Sequence, residues 1–247
     1  MSTVDGETGG QGTTMRQPKN AKKAKAESAP EPLSTREKIL LAARAELETT
    51  PPYAVGMRDI AARVGITAGA IYRHFPSKNA ILEEIALEAI AAFDAAIAAG
   101  AREYLSPRKR WLGGWQGARS WALTNPQLFE LFYNPPAELS SERISDAFAR
   151  PALTLGDLAS NSDVLELSHP DSLALATSIW RIRSRYGSEF PDLRETSGAK
   201  ILGIVRALIE LCGTIHAELA GFMELTFVDH EAYLKVVGGR WADILRL

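Results

Sequence analysis

The sequence predicts an all-α protein: a small N-terminal three-helix unit and a larger helical domain, about nine or ten helices together. Three observations predict it. From Ser34 onward apolar residues recur at three- and four-residue spacings, the period of a helix face. Cap and stop signals punctuate that pattern, with Ser34-Thr35, Ser77, Ser106-Pro107 and Asn125-Pro126 as starts and Pro51-Pro52 and Pro76 as stops. No convincing alternation of apolar and polar residues marks a strand.

At 247 residues and 46% hydrophobic content, the chain is long enough to bury a sizeable core. No apolar run approaches the roughly 18 residues of a membrane span. No apolar segment follows the N-terminal lysines as in a secretory signal. The single cysteine, Cys212, excludes an internal disulfide and fits a reducing cytoplasm. The formal net charge of −2 argues against general affinity for nucleic acid, but the charge is uneven. Between Ser34 and Ala80, Arg36, Lys38, Arg44, Arg58, Arg63, Arg73 and Lys78 outnumber Glu37, Glu46, Glu48 and Asp59. His74, His169, His216 and His230 are scattered without ligand-like spacing, and no Gly-rich loop follows a strand. The expectation is a protein that is not an enzyme, with no metal and no cofactor.

Residues 1–33 are rich in Gly, Thr, Ser, Gln, Lys and Pro and read as a disordered tail. Arg16, Lys19, Lys22, Lys23 and Lys25 make it basic; it is either a solvated tail or an arm that follows phosphates. Residues 34–80 form the predicted N-terminal unit. Its first helix runs from about Ser34 to Thr49. In the second, Met57, Ile60, Ala61 and Val64 share one face, and Gly65 supplies the left-handed backbone that ends it. Thr67 caps the third, which needs only Ile71 and Phe75 to hold it down. Ala68, Gly69, Ala70, Tyr72 and Arg73 then point away from the core.

Two short helices about a Gly-containing turn make a helix-turn-helix. Small side chains at the start of the second helix let backbone approach base edges in the major groove. This reading puts Thr67, Ala68, Gly69, Ala70 and Arg73 near bases and Tyr72, His74 and Lys78 at phosphates. Met57, Arg58 and Arg36 complete the expected contact set, although Arg36, in the first turn of the first helix, is equally read as a partly solvated structural charge. For Arg73, a bidentate pair to guanine and a phosphate contact both stand. The alternative for the whole chain is a helical ligand-binding or interaction scaffold whose hairpin touches protein rather than DNA.

Ile60-Ala61, Gly65, Ala70-Ile71-Tyr72-Arg73-His74-Phe75 and Ser77-Lys78 closely resemble the DNA-binding half of TetR-family transcriptional regulators. Arg36, Ile39, Ala43 and Leu47 match that family's first helix, and the resemblance covers roughly residues 34 to 100. It implies a homodimer on a palindromic, double-stranded operator. It also implies a repressor released when a small-molecule effector binds the C-terminal half. Gly56 departs from the pattern, which has Ser or Thr there.

Residues 81–247 form the predicted effector-binding and dimerisation domain. A long helix from about Ser77 to Gly100 joins the two parts, with Ile81, Leu82, Ile85, Ala89, Ala92, Phe93 and Ala96 in one stripe. Trp111, Trp115, Ala118 and Ala122 mark the next helix, and Leu128, Phe129, Leu131 and Phe132 the one after. The run from Trp121 to Tyr133 resembles a segment of many TetR C-terminal domains. A helix from Ser140 to Ser160 is expected to break or kink at Pro151. Another spans Asp171 to Tyr186, with a basic end at Arg181, Arg183 and Arg185. Trp111, Trp115, Phe129, Phe132 and Trp180 are either ordinary core or the walls of an apolar cavity, with Arg181 or His216 to pair with a polar group on the ligand. The ligand is otherwise unidentified.

Two long helices finish the chain. Ile201, Val205, Leu208, Cys212, Ile215, Leu219 and Phe222 are spaced alternately four and three and form one seam. Leu234, Val237, Trp241 and Ile244 form a second. The expectation is that both meet a partner's seams in an intersubunit four-helix bundle; the other reading is packing within one chain. The Ile215-His216-Ala217 run loosely resembles a Trp-His-Gly signature of some TetR C-terminal domains, with Cys212 and Ala217 in place of Trp and Gly.

Overall fold

The computed structural model describes residues 32–139, 141–160 and 175–247. The basic stretch from Arg16 to Lys25, His169 and the start of the helix expected from Asp171 lie outside them. The described residues form eleven α-helices and no strand. They are α1 Thr35–Leu47, α2 Met57–Val64, α3 Ala68–Ile71, α4 Lys78–Arg102, α5 Pro107–Thr124, α6 Pro126–Tyr133, α7 Glu142–Ala147, α8 Ala149–Leu158, α9 Ala176–Tyr186, α10 Gly198–Leu219 and α11 His230–Ile244. Ser34–Leu247 form one compact unit, with a large hydrophobic core that runs from Ile39 to Leu245 and a smaller cluster of Ile179, Ile201 and Leu202. The expected boundary at residue 80 falls inside α4, which serves both parts.

Local chemistry sets the helix starts. Ser34 and Glu37 close a capping box on α1. Ser77, Ser106, Ser141, Ser197 and Asp229 each accept a hydrogen bond from the third amide of α4, α5, α7, α10 and α11. Each such cap contributes about 1 kcal/mol. Two expected signals act elsewhere. The Asn125 side chain does not cap α6; its Nδ2 donates back to the Trp121 carbonyl at 2.9 Å and closes α5. The predicted break at Pro151 lies instead at Phe148, between α7 and α8. Pro151 sits in the first turn of α8, where its missing N–H removes no helical bond.

α4 and α5 run antiparallel at close range. A Cβ on Gly117 would overlap the carbonyl of Ala96, and Gly100 and Gly113 oppose each other in the same way. Beside this contact the aromatic side chains fill the interior. Phe93, Trp121, Phe129 and Phe132 pack in edge-to-face and tilted pairs with ring centroids 5.3 to 6.2 Å apart. Trp111 and Trp115 are 0% and 1% exposed, and Trp111 Nε1 donates to the Gly238 carbonyl at 3.0 Å. Trp111, Trp115, Phe129 and Phe132 are therefore packed core and not the walls of an open cavity. Trp180 is 67% exposed, because α9 buries Ile179 against Ile201 and Leu202 instead.

The two C-terminal seams are also corrected. Ile201, Leu208, Cys212 and Ile215 are buried within the single chain, as are Leu234, Val237 and Trp241. α10 is covered on this side by α5, α6, α8 and α11 of its own chain. Val205 and Leu219 are half-buried. Phe222 lies past the end of α10, next to Gly221 at φ 75°, and is exposed. The heptad pattern identified an apolar face correctly but not its partner.

Two outcomes test this packing. Gly117→Ala should lower stability by about 1–3 kcal/mol in urea titration, because two backbones must separate. Gly156→Ala, in α8 with nothing near its Cβ position, should raise it by about 0.5–1 kcal/mol. Equal effects would contradict the close α4–α5 contact. Burial also pushes the Cys212 thiol well above its usual range. The folded chain should react with Ellman's reagent far more slowly than the urea-unfolded chain, and equal rates would place Cys212 at an accessible surface.

Candidate nucleic-acid interface

Ile71 and Phe75 are 0% and 1% exposed and anchor the short α3 to the core. α3 has one regular turn and is extended by backbone bonds from His74 and Phe75 to the Ile71 carbonyl at 2.8 and 2.9 Å. Thr67 Oγ1 accepts from the Ala70 amide at 3.2 Å and fixes the start. Gly65, at φ 76°, makes the turn from α2, and Ile66 N–H donates to the Ala61 carbonyl at 3.0 Å. The Asp59 carboxylate lies against the position a Cβ at Gly56 would take, and the Gly56 backbone is extended.

With Ile71 and Phe75 turned inward, the outer face carries Thr67, Gly69, Tyr72, Arg73 and His74, all exposed, and Ala68 and Ala70, half-exposed. Arg58, at the start of α2, is exposed beside them. Among the described residues, the side chains of Arg58, Tyr72, Arg73 and His74 have no hydrogen bond or ion pair, so all four are available to an outside partner.

Three expected contact residues have partners within the protein. Arg36 pairs with Glu84, and its guanidinium lies 4.7 Å above the Phe75 ring. It holds α1 to α4. Lys78 Nζ donates to the carbonyls of Pro52 and Tyr53 at 3.3 and 3.0 Å and ties the α1–α2 loop to α4. Met57 is half-buried against the core. His216, expected near a ligand, has Nδ1 2.6 Å from Glu130 and its ring against Tyr133, so it joins α6 to α10.

α4 carries most of the ties between this face and the rest of the chain. Arg44 pairs with Glu88 as Arg36 does with Glu84. On its other side Glu83 accepts from Ser141 Oγ at 2.8 Å and faces Arg143 at 3.4 Å, and Asp94 accepts from Thr154 Oγ1 at 2.5 Å. Sequence reasoning missed these carboxylates as anchors and missed Tyr53, which is 78% exposed beside Lys78. An aromatic residue straight after a Pro-Pro stop was the available signal for Tyr53.

Among the described residues, no group of three or more His, Cys, Asp or Glu side chains is placed to hold a metal ion. No described helix is long and apolar enough to cross a membrane.

Residues 39–85 match the sequence profile of the bacterial regulatory proteins of the tetR family. Over 48 residues the chain is 46% identical to the nucleoid occlusion factor SlmA of Idiomarina loihiensis, 19% of this chain and 24% of that protein. The chain thus spans about a quarter of the length of the curated relatives it matches. A crystal structure of the regulatory protein SCO4313 superposes with a TM-score of 0.66 at 19% identity, covering 84% of this chain and 95% of that one. The TetR-family regulator PfmR of Thermus thermophilus superposes with a TM-score of 0.50 at 20% identity, covering 84% and 97%. These two likenesses concern the fold. The helix-turn-helix geometry and the profile match fall on the same residues, so this part of the chain, residues 39–85, is similar to the bacterial regulatory proteins of the tetR family.

Proposed function

We propose that this chain is a DNA-binding transcriptional regulator, a homodimeric repressor of a palindromic operator that a small, largely apolar ligand releases. The observation that carries the reading is the outer face of α3: small residues at its start, then Tyr72, Arg73 and His74, exposed and unpaired among the described residues. The major groove is about 12 Å wide and admits a helix whose leading end is bare. Arg73 is the residue to read a guanine edge, while Tyr72, His74 and Arg58 suit phosphates on either side.

A dimer would place two such helices about 34–36 Å apart, one turn of duplex. The buried seams are not available for that contact, but the outward sides of α10 and α11 are. Ile209 is 60% exposed and Val236 70%, large apolar side chains on adjacent helices. For the ligand, one buried donor supports the reading. Among the described residues Trp115 Nε1 has no hydrogen-bond partner, a state that costs about 1–3 kcal/mol. An acceptor on a ligand that parts the aromatic core would recover that energy. Release then needs the ligand to prefer one head orientation over the other.

A gel shift with the chain's own upstream DNA and excess competitor tests the reading against a scaffold that binds no DNA. Arg73→Ala should relax preference at one base pair per half-site by about 1–3 kcal/mol. A uniform loss on all sequences would make Arg73 a phosphate contact, and no retarded band for the unmodified chain would favour the scaffold. Separately, Ile209→Glu with Val236→Glu should yield monomers in sedimentation and weaken operator binding. A dimer that survives both changes would put the subunit contact elsewhere.

A further inference from the structure

The α1–α2 loop, the first turn of α4 and the connection after α6 enclose a cleft of about 220 Å3, lined by Pro52, Tyr53, Lys78, Leu82, Pro136 and Glu138 among others. We propose that this cleft binds a small monocyclic carboxylate, its ring between Tyr53 and the two prolines and its carboxylate on Lys78 Nζ. Three observations carry the assignment.

The first is the unused proton on Lys78. An ammonium has three donors. Two are engaged by the Pro52 and Tyr53 carbonyls, at 3.3 and 3.0 Å. Among the described residues the third has no partner and no carboxylate pairs with the charge. Those carbonyls also hold the ammonium at the cleft, so an arriving anion meets a cation that is already ordered. The second is the wall. Pro52 and Pro136 are rigid, Tyr53 offers a ring, and Leu82 at 1% exposure closes the floor. The third is size. The volume is below the roughly 300–1,000 Å3 of drug-sized sites, which limits the occupant to a single ring.

Glu138 is the opposing feature. Glu138 lines the cleft and its negative charge there opposes an anion, while its backbone carbonyl accepts from Asn79 Nδ2 at 3.1 Å. Its side chain has no hydrogen bond or ion pair among the described residues, so changing it alters charge without removing a tie. An occupant would touch the loop leading into α2, the start of α4 and the body's α6 connection at once, and would fix the angle between them. The assignment does not rest on the DNA reading, since the binding site is complete without it.

The test is calorimetric titration of the full chain with benzoate at low ionic strength, with benzamide as the uncharged analogue. Benzoate should bind saturably at one site, with benzamide about tenfold weaker. Glu138→Gln should tighten benzoate about two- to fivefold, and Lys78→Met should weaken it about tenfold. Absence of saturable binding, equal affinity for benzamide, or a benzoate affinity unmoved by Glu138→Gln would overturn the assignment. Should Lys78→Met fail to fold, as circular dichroism would show, Glu138→Gln alone decides.

Discussion

The burial of Ile71 and Phe75 is the constraint on which the remaining arrangement depends. α3 is far shorter than the roughly 12–15 residues that an isolated helix needs in water. It has no helix-forming reserve of its own, with Gly69 in its one regular turn. Two side chains, each contributing about 1.5–3 kcal/mol on burial, hold it in place. Because they sit one turn apart on one face, the opposite face is committed to solvent. That is why Tyr72, Arg73 and His74 find no partner among the described residues, and why their direction is set by the core rather than by their own contacts.

α4 extends that constraint to the rest of the chain. Its first turns bury Ile81, Leu82 and Ile85 under the head, and its later turns bury Ile90, Phe93 and Ile97 in the body. The ion pairs along it are partly exposed and each contributes about 0–1 kcal/mol. Their consequence is positional. Glu84 and Glu88 face α1, while Glu83 faces α7, so a rotation of α4 cannot preserve both sets. A rigid rod with anchors on two sides suits the transmission of a body rearrangement to the head.

Much of this was legible in the sequence because it rests on local chemistry. Helix starts follow Ser and Asp caps, α2 ends at a left-handed glycine, and the i, i+4 pair Ile71–Phe75 states which face of α3 goes inward. What sequence could not supply was the partner of a recognised face. α10 is apolar on two sides, through Leu208 on one and Ile209 on the other, and periodicity does not say which meets the same chain. Lys78 read as a phosphate contact, and Arg36 stayed open between phosphate and a structural charge, because their partners, Pro52 and Glu84, are 26 and 48 residues away. Trp180 and Ile179 exchange roles through the rotation of a short helix, a difference that only packing resolves.

Hydrogen exchange on the full chain, with and without an operator duplex from its own upstream region, tests the central claim most directly. Insertion of α3 into the major groove predicts added protection over residues 57–78, strongest from Thr67 to Phe75, with little change in α9. Unaltered exchange across α2 and α3 while duplex is bound, or protection centred on another helix, would contradict it.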